Sequence, residues 1–194
     1  MLVVVSAIGL AGMTNKERLS DEKLIGGAAW EIVTGEPKVT VVVFSDLQCP
    51  ACRDGEKVAR ELRQMEGVRF VFRHFPLMTI HKNARLAALA VEAAKRMGKG
   101  WEMMEMIFDK QSEWSEASAE EFWMLISGYV SALGLNEAEF QNTMESEDLG
   151  RQIEIDESLG NELKLSGTPT FFVNGKMMAT SLLKAEVEKL LDKN

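Results

Sequence analysis

Cysteine is scarce in this sequence: Cys49 and Cys52 are the only two, and they sit three positions apart. A fold held by disulfides uses more cysteines, spread along the chain, so that class is excluded. Histidine is just as scarce, with His74 and His81 alone, which leaves little to complete a metal site. No run of lysine and arginine occurs, and 30 acidic residues outweigh 22 basic ones for a net charge of −8. A nucleic-acid face has to neutralise phosphates, so no nucleic-acid partner is expected. Nor does any apolar stretch reach the ~20 residues needed for a membrane-spanning helix. What remains is an ordinary globular composition, 46% hydrophobic and 27% charged with only four prolines, in a chain long enough to bury a core without a staple.

One apolar stretch lies at the N-terminus, LVVVSAIGLAGM at residues 2–13. It suits the apolar core of a signal peptide, although no basic residue precedes it and the first positive charge is Lys16. The competing reading is a buried first strand, because Val3, Val4 and Val5 are β-branched. We read residues 1–20 as a signal-peptide or membrane-anchor remnant with a lead-in, and 21–194 as one domain.

Residues 14–38 are mixed and rather polar, a lead-in with one short helix or strand. VTVVVF at 39–44 is a continuous β-branched and aromatic run, suited to a strand buried on both faces. In the next segment Ala51, Val58, Leu62 and Met65 recur at helical spacing, and Gly67 is placed to end that helix. VRFVFRHF at 68–75 alternates as a further strand, and a strand–helix–strand order implies a parallel pair. From Asn83 to about Leu165 strand signals disappear. Helices are expected at 83–97, 100–111, 119–133, 136–145 and 148–164, with Gly98, Gly134 and a Ser/Glu-rich patch at 112–120 as punctuation. TFFV, the turn Asn174-Gly175 and KMMAT then read as a hairpin, and an amphipathic helix at 181–192 follows. The expected fold class is therefore α/β: a thioredoxin fold, with a central mixed sheet flanked by helices and a helical cap inserted at about 80–165.

Cys49-Pro50-Ala51-Cys52 falls at the start of a helix that follows a buried strand. Unpaired N–H groups and partial positive charge at a helix N-terminus favour thiolate over thiol, and the thiolate is the nucleophile of disulfide exchange. Cys49 would sit exposed just before the helix, with Cys52 one turn in and more buried. Pro50 fits the first turn, where its missing N–H is not needed. Two other uses of a bare Cys-x-x-Cys exist. A zinc site would have to recruit His74 and His81, whose spacing of seven exceeds the usual three to five. A structural disulfide would close a loop too small to add much stability. The strand–turn–helix context favours redox use. Gly167-Thr168-Pro169-Thr170 precedes the TFFV strand, and from its residues alone it could be an ordinary loop, since cis X-Pro bonds are a minority.

FSDLQCPACR, RHFPL, IHKNARLAALAVEAAKRMGKGWEMMEMIF and SGTPTFFVNGK, in this order over residues 36–192, resemble the DsbA-like thioredoxin-fold family of extracytoplasmic bacterial oxidoreductases. The resemblance implies thiol–disulfide exchange, with Cys49 attacking and Cys52 resolving, and Pro50 and Ala51 tuning the redox potential. It implies that Thr168-Pro169 is a cis-proline loop beside the pair, pairing its backbone with substrate. It further implies no metal or organic cofactor, a monomer outside the cytoplasm or anchored to its membrane, and two sets of partners: unfolded or partly folded proteins with cysteines, and a redox protein that resets the pair. Two positions depart from the family. Many relatives carry a buried acid where this chain has Val43, and the best-known members carry histidine where it has Ala51, so a less oxidising couple is expected. Asp46 is the nearest acid, expected at the surface as a turn or cap residue. His81 reads as a cap or packing residue, Met103, Met104 and Met106 as core, and Trp101, Trp114 and Trp123 as the core of the cap. Rival readings are a reductase or isomerase using the same pair, and a thioredoxin-fold binding or chaperone module.

Overall fold

The computed structural model describes residues 18–193, so all but the last three residues of the leader expected at 1–20 lie outside the described residues. The lead-in contains both a helix and a strand: α1 (Asp21–Ile25), capped by the Ser20 side chain, and β1 (Trp30–Thr34). β2 (Val39–Ser45) is buried along its whole length, as its unbroken apolar run requires. α2 (Pro50–Arg63) then crosses over to β3 (Val68–His74), which runs parallel to β2. β4 (Thr170–Val173) and β5 (Lys176–Met178) form the closing hairpin. Its turn residues Asn174 and Gly175 have φ of 45° and 78°, the two positive values a tight two-residue hairpin needs.

Among the described residues there is one five-stranded sheet of order β1-β3-β2-β4-β5, in which only the β2–β3 pair is parallel. Period-two alternation divides it between two cores. Val39, Val41, Val43, Phe70, Phe72 and Phe171 face the larger core, which takes in α2 and the helical insertion. Val42, Phe44, Val71 and Phe172 face the smaller one, closed by Leu24 of α1 and by Leu159, Leu163 and Leu165. β3 is thus buried on both sides.

The insertion consists of α3 (Ala84–Arg96), α4 (Gly100–Asp109), α5 (Gln111–Trp114), α6 (Ala119–Ala132), α7 (Glu137–Met144) and α8 (Arg151–Glu162). The expected helices are all present, one to three residues shorter at their ends. The Ser/Glu-rich patch begins inside α5 and, as expected, interrupts the helices, with 115–118 separating α5 from α6. α6 opens with a Ser118/Glu121 capping box, which satisfies two otherwise orphaned backbone donors. Met103, Met104 and Trp114 are fully buried, and Trp101 packs edge-on against Trp30 at 5.1 Å. Trp123 departs from expectation, with 37% of its surface exposed. The inward stripe of α6 is Phe122, Ile126, Tyr129 and Val130, and position 123 falls on its rim. After a short turn at Thr180–Leu182, α9 (Leu183–Leu191) buries Leu183 and Val187 against the larger core.

A fully buried ion pair ties the insertion to the sheet. Arg73 on β3 reaches Asp156 on α8 at 2.6 Å and also donates to the carbonyls of Leu24 and Gly26. Asp156 accepts from the His74 backbone N–H and the Gln152 amide as well. Such a pair persists only when its remaining donors and acceptors are filled, and here they are.

Candidate active site

The strand β2 ends at Ser45, and the chain reaches α2 through Asp46, Leu47, Gln48 and Cys49. Cys49 occupies the N-cap position in extended backbone, and Pro50 takes the first helical position. The Cys49 carbonyl accepts from the backbone N–H groups of Cys52 and Arg53 at 3.0 and 3.1 Å, so the first turn closes around the pair. Pro50 and Ala51 are exposed, whereas Cys52 is buried. Cys49 is only 8% exposed, which corrects the expectation of a solvent-facing sulfur. The Thr168 loop and the α5 end of the insertion cover it.

The Thr168-Pro169 peptide bond is cis, and the Cys49 thiol donates to the Thr168 carbonyl at 3.5 Å. The Thr168 hydroxyl is buried with no hydrogen-bond partner, and its dipole beside the pair favours the thiolate form of both cysteines. Gly55 permits the close approach of this loop to α2: a Cβ there would lie 3.3 Å from Pro169 Cγ and 3.4 Å from Phe171.

The two thiols differ sharply in acidity. Cys49 is lowered to about 5, chiefly because the Cys52 thiol donates to its sulfur, with the Cys52 and Ala51 backbone N–H groups and Thr168 adding to the effect against partial burial. Burial pushes the Cys52 thiol far up, and the neighbouring Cys49 thiolate pushes it further. One sulfur is thus poised to attack while the other holds its proton. The side chains of Ser45 and Thr168 limit the rise at Cys52, and the Asp46 backbone N–H lies 3.4 Å from its sulfur.

Asp46 itself overturns its expected place at the surface. It is 1% exposed. Its carboxylate accepts from the backbone N–H groups of Gln48 and Leu77 and from His81 Nδ1, each at 2.7 Å. The turn geometry of an Asx residue was correctly expected, but its donors also come from the loop after β3. His81 is not the cap of α3, a position held by Asn83, but the partner of Asp46. His74 pairs instead with Glu92 at 3.1 Å, so each histidine is engaged with a carboxylate. Val43 fills its site with an apolar side chain facing the larger core, opposite Phe72 and Phe171.

Three uncharged side chains complete the loop, and sequence reasoning missed all of them. Gln111 of α5 donates to the carbonyls of Leu47 and Cys49 at 2.8 and 3.0 Å. Gln48 donates to the Ser115 carbonyl and accepts from the Asn83 backbone. The Asn83 amide reaches the carbonyls of Trp114, Ser115 and Ala117. Buried amides at these positions carry no periodic signal; their only mark is that they are polar where a core is forming.

A mixed sheet with a dithiol at the first crossover helix and a cis X-Pro loop across from it defines a thioredoxin-type architecture. The family model described as Thioredoxin matches residues 29–193, and the chain belongs to that family. Within it the helical insertion is of DsbA type: BdbD from Bacillus subtilis superposes with a TM-score of 0.71 at 25% identity, covering 87% of this chain and 95% of that one. The probable disulfide bond formation protein D of Bacillus cereus is 24% identical over 202 residues, covering 100% of this chain and 93% of the relative. The Na(+)/H(+) antiporter NhaA 3 of Salinispora tropica is 36% identical over 142 residues, 73% of this chain but 21% of the antiporter. The chain thus spans about a fifth of the length of the antiporters it matches.

Proposed function

We propose that this chain is a protein thiol–disulfide oxidoreductase that forms disulfides in cysteine-containing protein substrates outside the cytoplasm. The observation that carries the reading is the split in acidity between Cys49, lowered to about 5, and the buried Cys52, at a helix start facing the Thr168-Pro169 loop. In the forward reaction a substrate thiolate attacks Cys49 Sγ of the oxidised pair. The Cys49–Cys52 bond breaks, and Cys52 leaves with the bonding electrons and takes up a proton. A second substrate thiolate then attacks the substrate sulfur of the mixed disulfide and releases Cys49 as thiolate. The substrate loses two electrons and the pair gains them. A separate redox protein resets the pair.

Several features support the roles assigned to the surrounding residues. The Thr168-Pro169 backbone borders Cys49 and suits pairing with an extended substrate chain. Met78 and Ile80 are exposed on the loop that bonds to Asp46, and apolar surface there suits unfolded chains. Among the described residues no helix is long and apolar enough to cross a membrane. Placement outside the cytoplasm, any N-terminal anchor and a monomeric state are parts of the same proposal.

The potential of the Cys49–Cys52 couple against glutathione tests the direction. A Cys49 acidity between the ~3.5 of the strongest oxidants and the ~7 of thioredoxin predicts a value between about −120 and −270 mV. A value at or below that of thioredoxin would refute the oxidase direction. Retention of thiol oxidation by Cys49→Ser would refute the chemistry and favour a binding module.

A further inference from the structure

The family's usual acid beside the buried cysteine is replaced here by Val43, 3% exposed and enclosed by aromatic neighbours. Cys52 nevertheless has to gain a proton as it leaves and lose one as it attacks. What stands beside it is a different construction. The last residue of β2, Ser45, offers its hydroxyl to the Cys52 sulfur, and the next residue, Asp46, offers its backbone N–H at 3.4 Å. The Asp46 side chain then turns away into a cage of donors. Gln48 N–H fixes one oxygen, and Leu77 N–H and His81 Nδ1 fix the other, all at 2.7 Å. The carboxylate is wholly enclosed, and the His81 ring is 16% exposed, joining it to the surface.

A buried carboxylate beside a sulfur that must carry negative charge in transit is unfavourable by itself. Among the described residues His81 is the only side-chain donor to the Asp46 carboxylate; the others are backbone amides. It anchors the side chain whose own amide points at Cys52. A hydrogen bond to the charged form of a thiol lowers its pKa; for a thiol pushed far up by burial, that makes it a better leaving group and puts more of it in the attacking thiolate form.

We propose that Asp46 and His81 are a positioning pair for Cys52, holding the Asp46 amide on its sulfur and thereby setting the rate of every step in which Cys52 carries charge. The proposal rests on the disulfide-exchange reading above. It assigns to a histidine from the loop after β3 a part that the acid at position 43 cannot play in this chain.

Ellman's reagent separates the two cysteines. The reduced protein releases a first equivalent of thionitrobenzoate as Cys49 forms a mixed disulfide, and a second as Cys52 attacks Cys49 Sγ to close the Cys49–Cys52 bond. Both phases are followed against pH in the full chain, for wild type, His81→Phe, His81→Gln and Asp46→Asn. In His81→Phe the second phase slows about tenfold relative to the first and its pH midpoint rises about one unit, the equivalent of one lost hydrogen bond to the thiolate. His81→Gln, which keeps a donor, recovers most of that loss, and Asp46→Asn falls between. Equal slowing of both phases, or a second phase within about twofold of wild type in His81→Phe and Asp46→Asn alike, would overturn the proposal. If Asp46→Asn does not fold, the two His81 variants decide alone. Absence of the first phase in the wild type would instead refute the exchange reading on which the proposal stands.

Discussion

Replacing Cys52 by alanine isolates the largest contributor to the acidity of Cys49. In the reduced pair the Cys52 thiol donates to the Cys49 sulfur and is the foremost cause of the lowering to about 5. A hydrogen bond to a charged acceptor contributes about 1.5–3 kcal/mol, and each ~1.4 kcal/mol is one pKa unit. Cys52→Ala should therefore raise Cys49 to about 6–7 by this estimate, while the Thr168 and backbone donors keep it short of the ordinary 9.0. At pH 6 the thiolate fraction should fall from about nine-tenths to between about a tenth and a half. The rate of iodoacetamide alkylation across the acid range reads this fraction directly. A midpoint still near 5 would show that the helix end and the Thr168 loop act without Cys52; a midpoint at 9.0 would show that they contribute nothing. The sign of the linked stability follows. A thiol whose folded value is depressed stabilises the reduced protein fully above 9.0, and that contribution is lost as pH falls through about 5. In the variant the contribution is smaller and its loss is already complete at about 6–7.

Other perturbations have equally definite outcomes. Gln111→Ala leaves the buried Leu47 carbonyl without its donor and should cost about 1–3 kcal/mol in denaturant unfolding. It should also broaden the amide resonances of Leu47 to Cys49. Gly55→Val drives a branched side chain into Pro169 and Phe171 and should cost a further ~1–3 kcal/mol by overpacking. Gly55→Ala should lie near wild type, because the ~1 kcal/mol of helix propensity gained offsets the tight contact. Burial works to raise Glu92, yet His74, the Trp30 indole N–H and Lys95 outweigh it and hold the carboxyl below its ordinary 4.5. The stability it contributes is present above that value and is lost as pH falls. Glu92→Gln should lower the melting temperature at neutral pH and flatten its acid dependence.

Much of this molecule could be read from local pattern. VTVVVF announced a doubly buried strand, Asn174-Gly175 its hairpin, and the spacing of apolar residues most of the inserted helices. The cysteine pair and the Thr-Pro step were placed correctly at a helix start and before a strand. What local pattern missed was decided by distant partners. Asp46 looked like a surface turn because two of its three carboxylate donors, Leu77 N–H and His81, arrive from a loop 31 to 35 residues later. Cys49 looked exposed because its cover comes from Thr168, 119 residues away, and from α5. WEIVT lay inside a lead-in expected to hold one short helix or strand, and it becomes the edge strand by pairing antiparallel with β3. Trp123 was assigned inward on residue type alone, when helical phase puts it at the rim.

The Gln111 bonds to the Leu47 and Cys49 carbonyls span 64 and 62 positions of sequence, and this sets an order of events in the making of the protein. β1, β2, the cysteine turn and β3 leave the ribosome well before α5 does. Until that helix docks, the turn that carries Cys49 lacks its last two donors. A reactive sulfur is thus kept from its finished geometry while the chain is still incomplete. For the same reason the insertion is no detachable ornament: a chain trimmed to the sheet with α1, α2 and α9 would keep the cysteines and lose the clamp on their turn.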